Sequence, residues 1–91
     1  MRVIWDENKN EINKAKHGVS FETASLVFVD EFRIELYDAE HSKEGEDRWQ
    51  IIGNADGAIL FVVETELTGE IIRIISARAA TKAEKEAYYG N

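Results

Sequence analysis

The sequence predicts an α+β fold: a twisted antiparallel sheet, built from a short N-terminal strand and about four further strands, packed by two N-terminal helices and one C-terminal helix. Three observations lead to it. Residues Phe32-Arg33-Ile34-Glu35-Leu36-Tyr37 alternate apolar and polar, the period of a half-buried strand. The strand-like segments 48–53, 58–65 and 70–77 are separated only by short turns, which favours antiparallel pairing of successive strands. Helix-capping residues fall instead near the ends of the chain, at Asp6, Ser20 and Thr81. The 91 residues suffice for one domain, read as 1–91.

Taken in order, Arg2 to Trp5 reads as the first strand. Asp6 is placed to cap a helix from Glu7 to about His17, its carboxylate accepting from a free amide of the first turn, and Gly18 suits the left-handed closing position. Ile12 and Ala15 are this helix's few apolar residues, so much of it is expected to face solvent or a partner. Ser20 caps a second, short helix, with Val19 and Ala24 where a hydrophobic staple packs and Phe21, Ala24, Leu26, Val27 and Phe28 giving it an apolar side for a sheet. The Phe32–Tyr37 strand leads into a polar loop from Asp38 to Glu46, then a strand from Arg48 to Gly53. Asn54-Ala55-Asp56-Gly57 signals a tight turn into the nearly apolar Ala58–Thr65, expected as a central strand. Glu66 to Gly69 turns the chain into the isoleucine-rich strand Glu70–Ala77. Thr81 and Glu84 have capping-box spacing, opening a helix that runs to about Tyr89.

Hydrophobic residues make up 44 % and charged residues 32 % of the chain, the balance of an ordinary globular domain. No apolar run approaches the ~20 residues that span a bilayer, and the opening Met1-Arg2-Val3-Ile4-Trp5-Asp6-Glu7 lacks a signal-peptide pattern. There are no cysteines, hence neither disulfides nor thiolate chemistry. The expected setting is cytoplasmic, with no membrane partner. A net charge of −7 argues against a general nucleic-acid binder. That charge is uneven, because Asp30 to Asp47 holds eight acids against two bases. Such a segment can coexist with a basic active surface, or dock a basic partner.

Several residue groups could carry chemistry. Lys9, Asn13, Lys16 and His17 follow the i, i+4, i+7, i+8 spacing of one helix face, a stripe suited to a phosphate-bearing ligand. The competing reading is a solvated face on which His17 offsets the helix dipole. Arg48 and Arg78, at strand ends, can grip a phosphate through paired hydrogen bonds or serve in salt bridges to the many carboxylates. In a plain meander their strands run parallel, so the start of one and the end of the other lie at opposite edges. His41, among Asp38, Glu40 and Ser42, is a further proton carrier. Two histidines and scattered carboxylates form no recognisable metal-ligand spacing, so neither a metal nor a cofactor is expected. There is no glycine-rich phosphate loop and no nucleophile elbow. Trp5, Trp49, Tyr88 and Tyr89 could stack on bases, although both tryptophans are expected in the core.

Read together, these segments resemble the BrnT family. The resemblance runs through Trp5-Asp6-Glu7-Asn8-Lys9, Asn13, Lys16-His17-Gly18-Val19-Ser20-Phe21 and Ala24. It returns at Asp38, Glu40-His41-Ser42, Glu46 and Arg48, and closes with Ile74-Ile75-Ser76-Ala77-Arg78, Ala80-Thr81, Glu84 and Tyr88. The resemblance implies a RelE-like ribonuclease fold and a cytoplasmic toxin that cleaves RNA and halts translation. It implies a BrnA-type antitoxin in a complex of two toxins and an antitoxin dimer, with DNA contacted through the antitoxin.

The implied reaction is attack of a ribose 2′-hydroxyl on the adjacent phosphate without a metal, which needs a base, an acid and cations for the developing charge. On this reading Lys16 or His17 handles protons, Arg48 and Arg78 stabilise the phosphorane, and Glu46, His41 and Tyr88 support them. Lys9 and Asn13 would hold RNA. Where the family carries a further arginine after Ser76-Ala77-Arg78, this chain has Ala79, and Glu64-Thr65-Glu66-Leu67 is less basic than the family's central hairpin. These departures and the acidic charge suit a second reading, a catalytically weak partner-binding member acting with the antitoxin in operon repression.

Overall fold

The computed structural model describes residues 1–90. Five strands, β1 (Arg2–Ile4), β2 (Ile34–Tyr37), β3 (Arg48–Ala55), β4 (Ala58–Thr68) and β5 (Ile71–Ala79), form one sheet in the order β1-β5-β4-β3-β2. Helices α1 (Glu7–His17) and α2 (Phe21–Ala24) follow β1, and α3 (Lys82–Tyr89) follows β5. Strands β2 to β5 pair antiparallel as expected, but β1 lies parallel to β5, with Val3 opposite Ile72, so the sheet is mixed. A parallel neighbour requires a long crossover, here the whole chain between the two strands. The helix expected after Ser20 is one turn of α-helix followed by a 3₁₀ segment, Ser25–Val29.

Local chemistry accounts for the element ends. The Asp6 carboxylate accepts from the amides of Asn8 and Lys9, and Gly18 closes α1 at φ 71°. Ser20 caps α2, and Thr81 and Glu84 complete the capping box of α3. Strand β4 continues past Thr65 to Thr68, which moves the expected Glu66–Gly69 turn to Gly69 and Glu70.

One sheet face packs under α2 and the 3₁₀ segment: Phe21, Ala24, Val27 and Phe28 meet Ile51, Ala55, Leu60, Val62, Ile74 and Ala77. Trp5, edge-on to Phe21 at 6.3 Å, and Trp49, edge-on to Tyr37 at 5.2 Å, are half-buried at its margins. Gly53 belongs to this face, and a Cβ there would stand 2.9 Å from that of Val27, so only glycine lets the 3₁₀ segment lie on β3. Helix α1 joins through asparagines, not apolar residues. Beyond the end of β1 the edge of β5 needs hydrogen-bond partners. Asn13 supplies them, its Nδ2 donating to the Ala77 carbonyl (2.8 Å) and its Oδ1 accepting from the Ala77 amide (3.2 Å). Asn10, also buried, accepts from the Phe21 amide and donates to Glu7 and Glu22.

The opposite face is covered only in part. Helix α3 sits over one end, where Tyr88 and Ala80 pack with Ile52 and Ile59. The other end carries Arg48, Gln50, Val63, Thr65, Arg73 and Ser76, placed on one face by the strand register.

Candidate functional site

The uncovered end of the sheet is built by three neighbouring strands. Arg48 on β3 is opposite Thr65 on β4, and Thr65 is opposite Arg73 on β5. Two strand spacings separate the arginines, about 10 Å between Cα atoms, so two guanidinium groups flank one threonine. Thr65 is buried and its hydroxyl donates to the Asp47 carbonyl at 2.6 Å, fixing the entry to β3. Arg48 is held by Glu46 (Nη2 to Oε1, 3.0 Å; Nε to Oε1, 3.1 Å). The Arg48 hydrogen bond, with the charges of Arg48, Lys43 and Arg73 and against burial, keeps the Glu46 carboxyl below the usual range. Arg73 has no ion pair or side-chain hydrogen bond with another described residue.

The polar loop brings His41 to this same end. Asp38 and Arg48 close the β2–β3 hairpin backbone (Asp38 N to Arg48 O, 2.9 Å), and Ser42 Oγ accepts from the Arg48 amide. Asp38 is buried, and His41 Nδ1 lies 3.0 Å from its Oδ2. Burial alone would raise the Asp38 carboxyl, but hydrogen bonds from Gln50 and His41 and the charge of His41 hold it below the ordinary value. An anionic, buried carboxylate on Nδ1 orients the ring and leaves Nε2 for other chemistry. The His41 side chain is 60 % exposed, so Nε2 is not walled off by the fold.

The remaining sequence candidates lie elsewhere. Arg78 is on the same sheet face but in the row of Phe61 and Ile52, roughly 13 Å along the strands from the Arg48 row. It stacks over the Phe61 ring at 4.0 Å and grips Glu84 through two hydrogen bonds (2.8 and 3.0 Å), which tie the start of α3 to β5. Those bonds hold the Glu84 carboxyl down and the Arg78 guanidinium more firmly protonated. Tyr88 donates to Asp30 at 2.6 Å; this bond, with burial, pushes its phenol up to about 12, so it is a structural tie between α3 and the 3₁₀ segment's end. Of the α1 stripe, Lys9, Lys16 and His17 are exposed, while Asn13 is turned inward with both ends of its amide used on β5. Asn13 therefore does not face a ligand with its stripe companions, which corrects the expected RNA contact. Lys16 and His17 lie in the last turn of α1, on the Ala77 side of the sheet edge.

Sequence reasoning missed Arg73. Arg73 and Arg78 are five residues apart, an odd spacing that puts side chains on opposite faces of a regular strand. A β-bulge cancels this: Val63 pairs with Ser76 and Glu64 with Ile74, leaving Ile75 as an extra residue, so both arginines reach one face. Among the described residues no group of three His, Asp or Glu side chains is arranged to hold a metal ion, and no helix is long and apolar enough to cross a membrane.

A mixed five-stranded sheet with one helix-packed face and an open end bearing Arg48 and Arg73 defines a small α+β domain. A family profile, "Ribonuclease toxin, BrnT, of type II toxin-antitoxin system", matches residues 5–84, and the chain belongs to this family. The crystal structure of the Brucella abortus ribonuclease toxin, BrnT, superposes with a TM-score of 0.63 at 28 % identity, covering 90 % of this chain and 99 % of that one. No curated protein matches. A type II toxin–antitoxin family implies an antitoxin partner.

Proposed function

We propose that this chain is an endoribonuclease whose RNA-cleaving centre lies at the Arg48–Thr65–Arg73 end of the sheet. The observation that carries the proposal is the pair of arginines flanking Thr65 at the same end of the sheet as an imidazole whose Nδ1 is held by a buried carboxylate. Cleavage by 2′-hydroxyl attack suits these groups. His41 Nε2 takes the 2′ proton as the 2′ oxygen bonds to phosphorus. Arg48 and Arg73 stabilise the charge gathering on the phosphorane, and the 5′ oxygen leaves with a proton from solvent. The products are a 2′,3′-cyclic phosphate and a free 5′-hydroxyl. Arg78, spent on Glu84 and Phe61, contributes through the fold, and Lys9, Lys16 and His17 serve as an outer cationic edge for the RNA strand. The chain acts in the cytoplasm, halts translation, and is neutralised by a BrnA-type antitoxin in a complex of two toxins with an antitoxin dimer that supplies the DNA contacts.

The test is incubation of the purified chain with single-stranded RNA in chelator, beside His41→Asn and His17→Ala. Cleavage by wild type and His17→Ala, lost in His41→Asn, with cyclic phosphate ends, supports the assignment. Loss in His17→Ala with His41→Asn active moves the centre to the last turn of α1.

A second reading, a catalytically weak member acting through its antitoxin, is favoured by one observation: Arg48 and Arg78 are both already paired with carboxylates. No cleavage by wild type, with antitoxin binding intact, would select it.

A further inference from the structure

The helix-covered face of the sheet carries a feature that the RNA-cleaving centre does not use. Glu64, next to Thr65 on β4, points the other way and is only 3 % exposed. Its Oε2 is sealed from solvent and has no hydrogen-bond partner. Buried carboxyl oxygens without partners are rare because the lost hydration is not replaced. Glu64 lines a groove of about 300 Å³ between the ends of β2, β4 and β5. Glu35, Glu66 and Glu70 stand around it, and Phe28 and Ile51 give it apolar walls. The one arginine lining it, Arg33, is already held by Glu35 (2.8 Å) and the Asp30 carbonyl (3.1 Å), and the chain's amino group lies 3.5 Å from Glu70. The groove thus presents an unpartnered buried acceptor, an excess of negative charge and apolar sides.

We propose that this groove receives one arginine side chain of the antitoxin, its guanidinium bonded to Glu64 and its methylenes lying on Phe28 and Ile51. A guanidinium suits the site better than a hydrated ammonium, since its planar fork of donors matches a carboxylate and it sheds water more readily. Its long stem buries apolar surface while the head stays charged. The antitoxin is the occupant because a type II family implies such a partner and because the groove's charge selects a basic one. The groove opens on the face opposite the Arg48–Arg73 row, so this contact leaves the RNA-cleaving centre uncovered. The proposal rests on the family's antitoxin, not on the assignment of that centre. Burial, together with the Glu66 and Glu35 carboxylates, pushes Glu64 up to about 7, with Arg33, Glu70 and the amino group as the other charges facing the groove. A bound cation must ionise it, so capture tightens from pH 6 to pH 8.

The test begins with an NMR titration of the full chain by doubly blocked arginine and by doubly blocked citrulline, its neutral counterpart. Saturable shifts at the amides of Phe28, Ile51 and Glu64, at least tenfold weaker with citrulline and in Glu64→Gln, are expected. The antitoxin's affinity is then compared for wild type, Glu64→Gln and Glu86→Gln, an exposed control on α3 away from the groove, with RNA cleavage assayed on each. A tenfold or greater loss of antitoxin affinity in Glu64→Gln, with a wild-type amide spectrum elsewhere, supports the proposal. It stands even if no variant cleaves RNA, an outcome that counts only against the ribonuclease centre. No saturable response to arginine, equal response to citrulline, or unchanged antitoxin affinity in Glu64→Gln overturns it.

Discussion

Thr65 and Glu64 are consecutive residues of one strand, both almost fully buried, yet they serve opposite electrostatic environments. Thr65 points to the open face, where Arg48 and Arg73 flank it and its hydroxyl finds the Asp47 carbonyl. Glu64 points to the helix-covered face, among Glu35 and Glu66, with one oxygen unpartnered. The strand's two-residue period separates the two surfaces by the thickness of a single sheet. A chain of net charge −7 can therefore set Arg48 and Arg73 on one face while Glu35, Glu64, Glu66 and Glu70 stand around the groove on the other. The contrast extends to energetics. On the open face Arg48 and Arg78 are paired with Glu46 and Glu84 while Arg73 is left unpaired among the described residues, whereas on the covered face a carboxyl is held where its ionised form is disfavoured.

The largest effect that would break the contrast is on catalysis. Arg73→Ala should lower the RNA-cleavage rate by about 10²-fold or more, the usual loss when one group stabilising the transition state is removed. Its thermal midpoint should stay within a degree or two of wild type, since Arg73 holds no described partner. Single-turnover cleavage and a melting curve on the same sample check both halves; near-normal cleavage would dissolve the Arg48–Arg73 pair as a working unit. Asn13→Ala acts in reverse. It strips the Ala77 amide and carbonyl of their partners in a buried place and should cost about 2–4 kcal/mol in denaturant unfolding.

Glu64→Gln sharpens the contrast through pH. The folded-state value of Glu64 is raised, to about 7, above its ordinary 4.5. In that window the folded chain keeps a proton that the unfolded chain releases, so stability falls as pH rises from about 4.5 through 7 and levels off above. The full penalty is up to about 3 kcal/mol, at 1.4 kcal/mol per unit. The lowered carboxyls, Asp38, Glu46 and Glu84 among them, act oppositely: their stabilisation is present above the unfolded value and fades as pH drops through the lower folded one. Wild type should thus be most stable on the mildly acid side, and Glu64→Gln should flatten the decline toward neutral pH. Unfolding free energies at pH 5 and pH 8 that fall equally in both proteins would show that Glu64 ionises without penalty.

The order of elements was legible because the signals that write it are local. Asp6, Gly18, Ser20 and the Thr81–Glu84 box act within a turn of themselves, and each is where the chain bends. The mate of β1 was not legible, since three residues carry no pairing code and its neighbour β5 lies almost seventy residues away. The Lys9–His17 stripe was correctly read as a helical repeat, but polarity could not reveal that Asn13 faces inward, because an asparagine amide can complete a sheet edge as well as contact solvent. Arg73 was hidden by parity until the bulge at Ile75 restored it to the face of Arg48. His41 was visible as a proton carrier in sequence; what raised it above His17 is the buried carboxylate of Asp38, a contact made by loop geometry.

The smallest expected effect concerns Arg78, which shares the open face with Arg48 and Arg73 but not their end of it. If its work is to anchor α3, Arg78→Ala and Glu84→Ala should each lower stability by about 1 kcal/mol, the range of a partly exposed ion pair after solvent screening. Arg78→Ala also loses the stack on Phe61, and Glu84→Ala the bond from the Thr81 amide. The double variant should therefore cost less than the sum of the two but more than either alone, the mark of a shared interaction in a double-mutant cycle. Cleavage should change only a few-fold, and equally in all three, because the loss reaches the centre only through a looser α3. A role on the phosphate predicts a different pattern: Arg78→Ala alone would lose 10²-fold in rate, and Glu84→Ala, by freeing the guanidinium, would leave the rate intact or raise it. The opposed response of Glu84→Ala separates an arginine that holds the fold from one that holds the substrate.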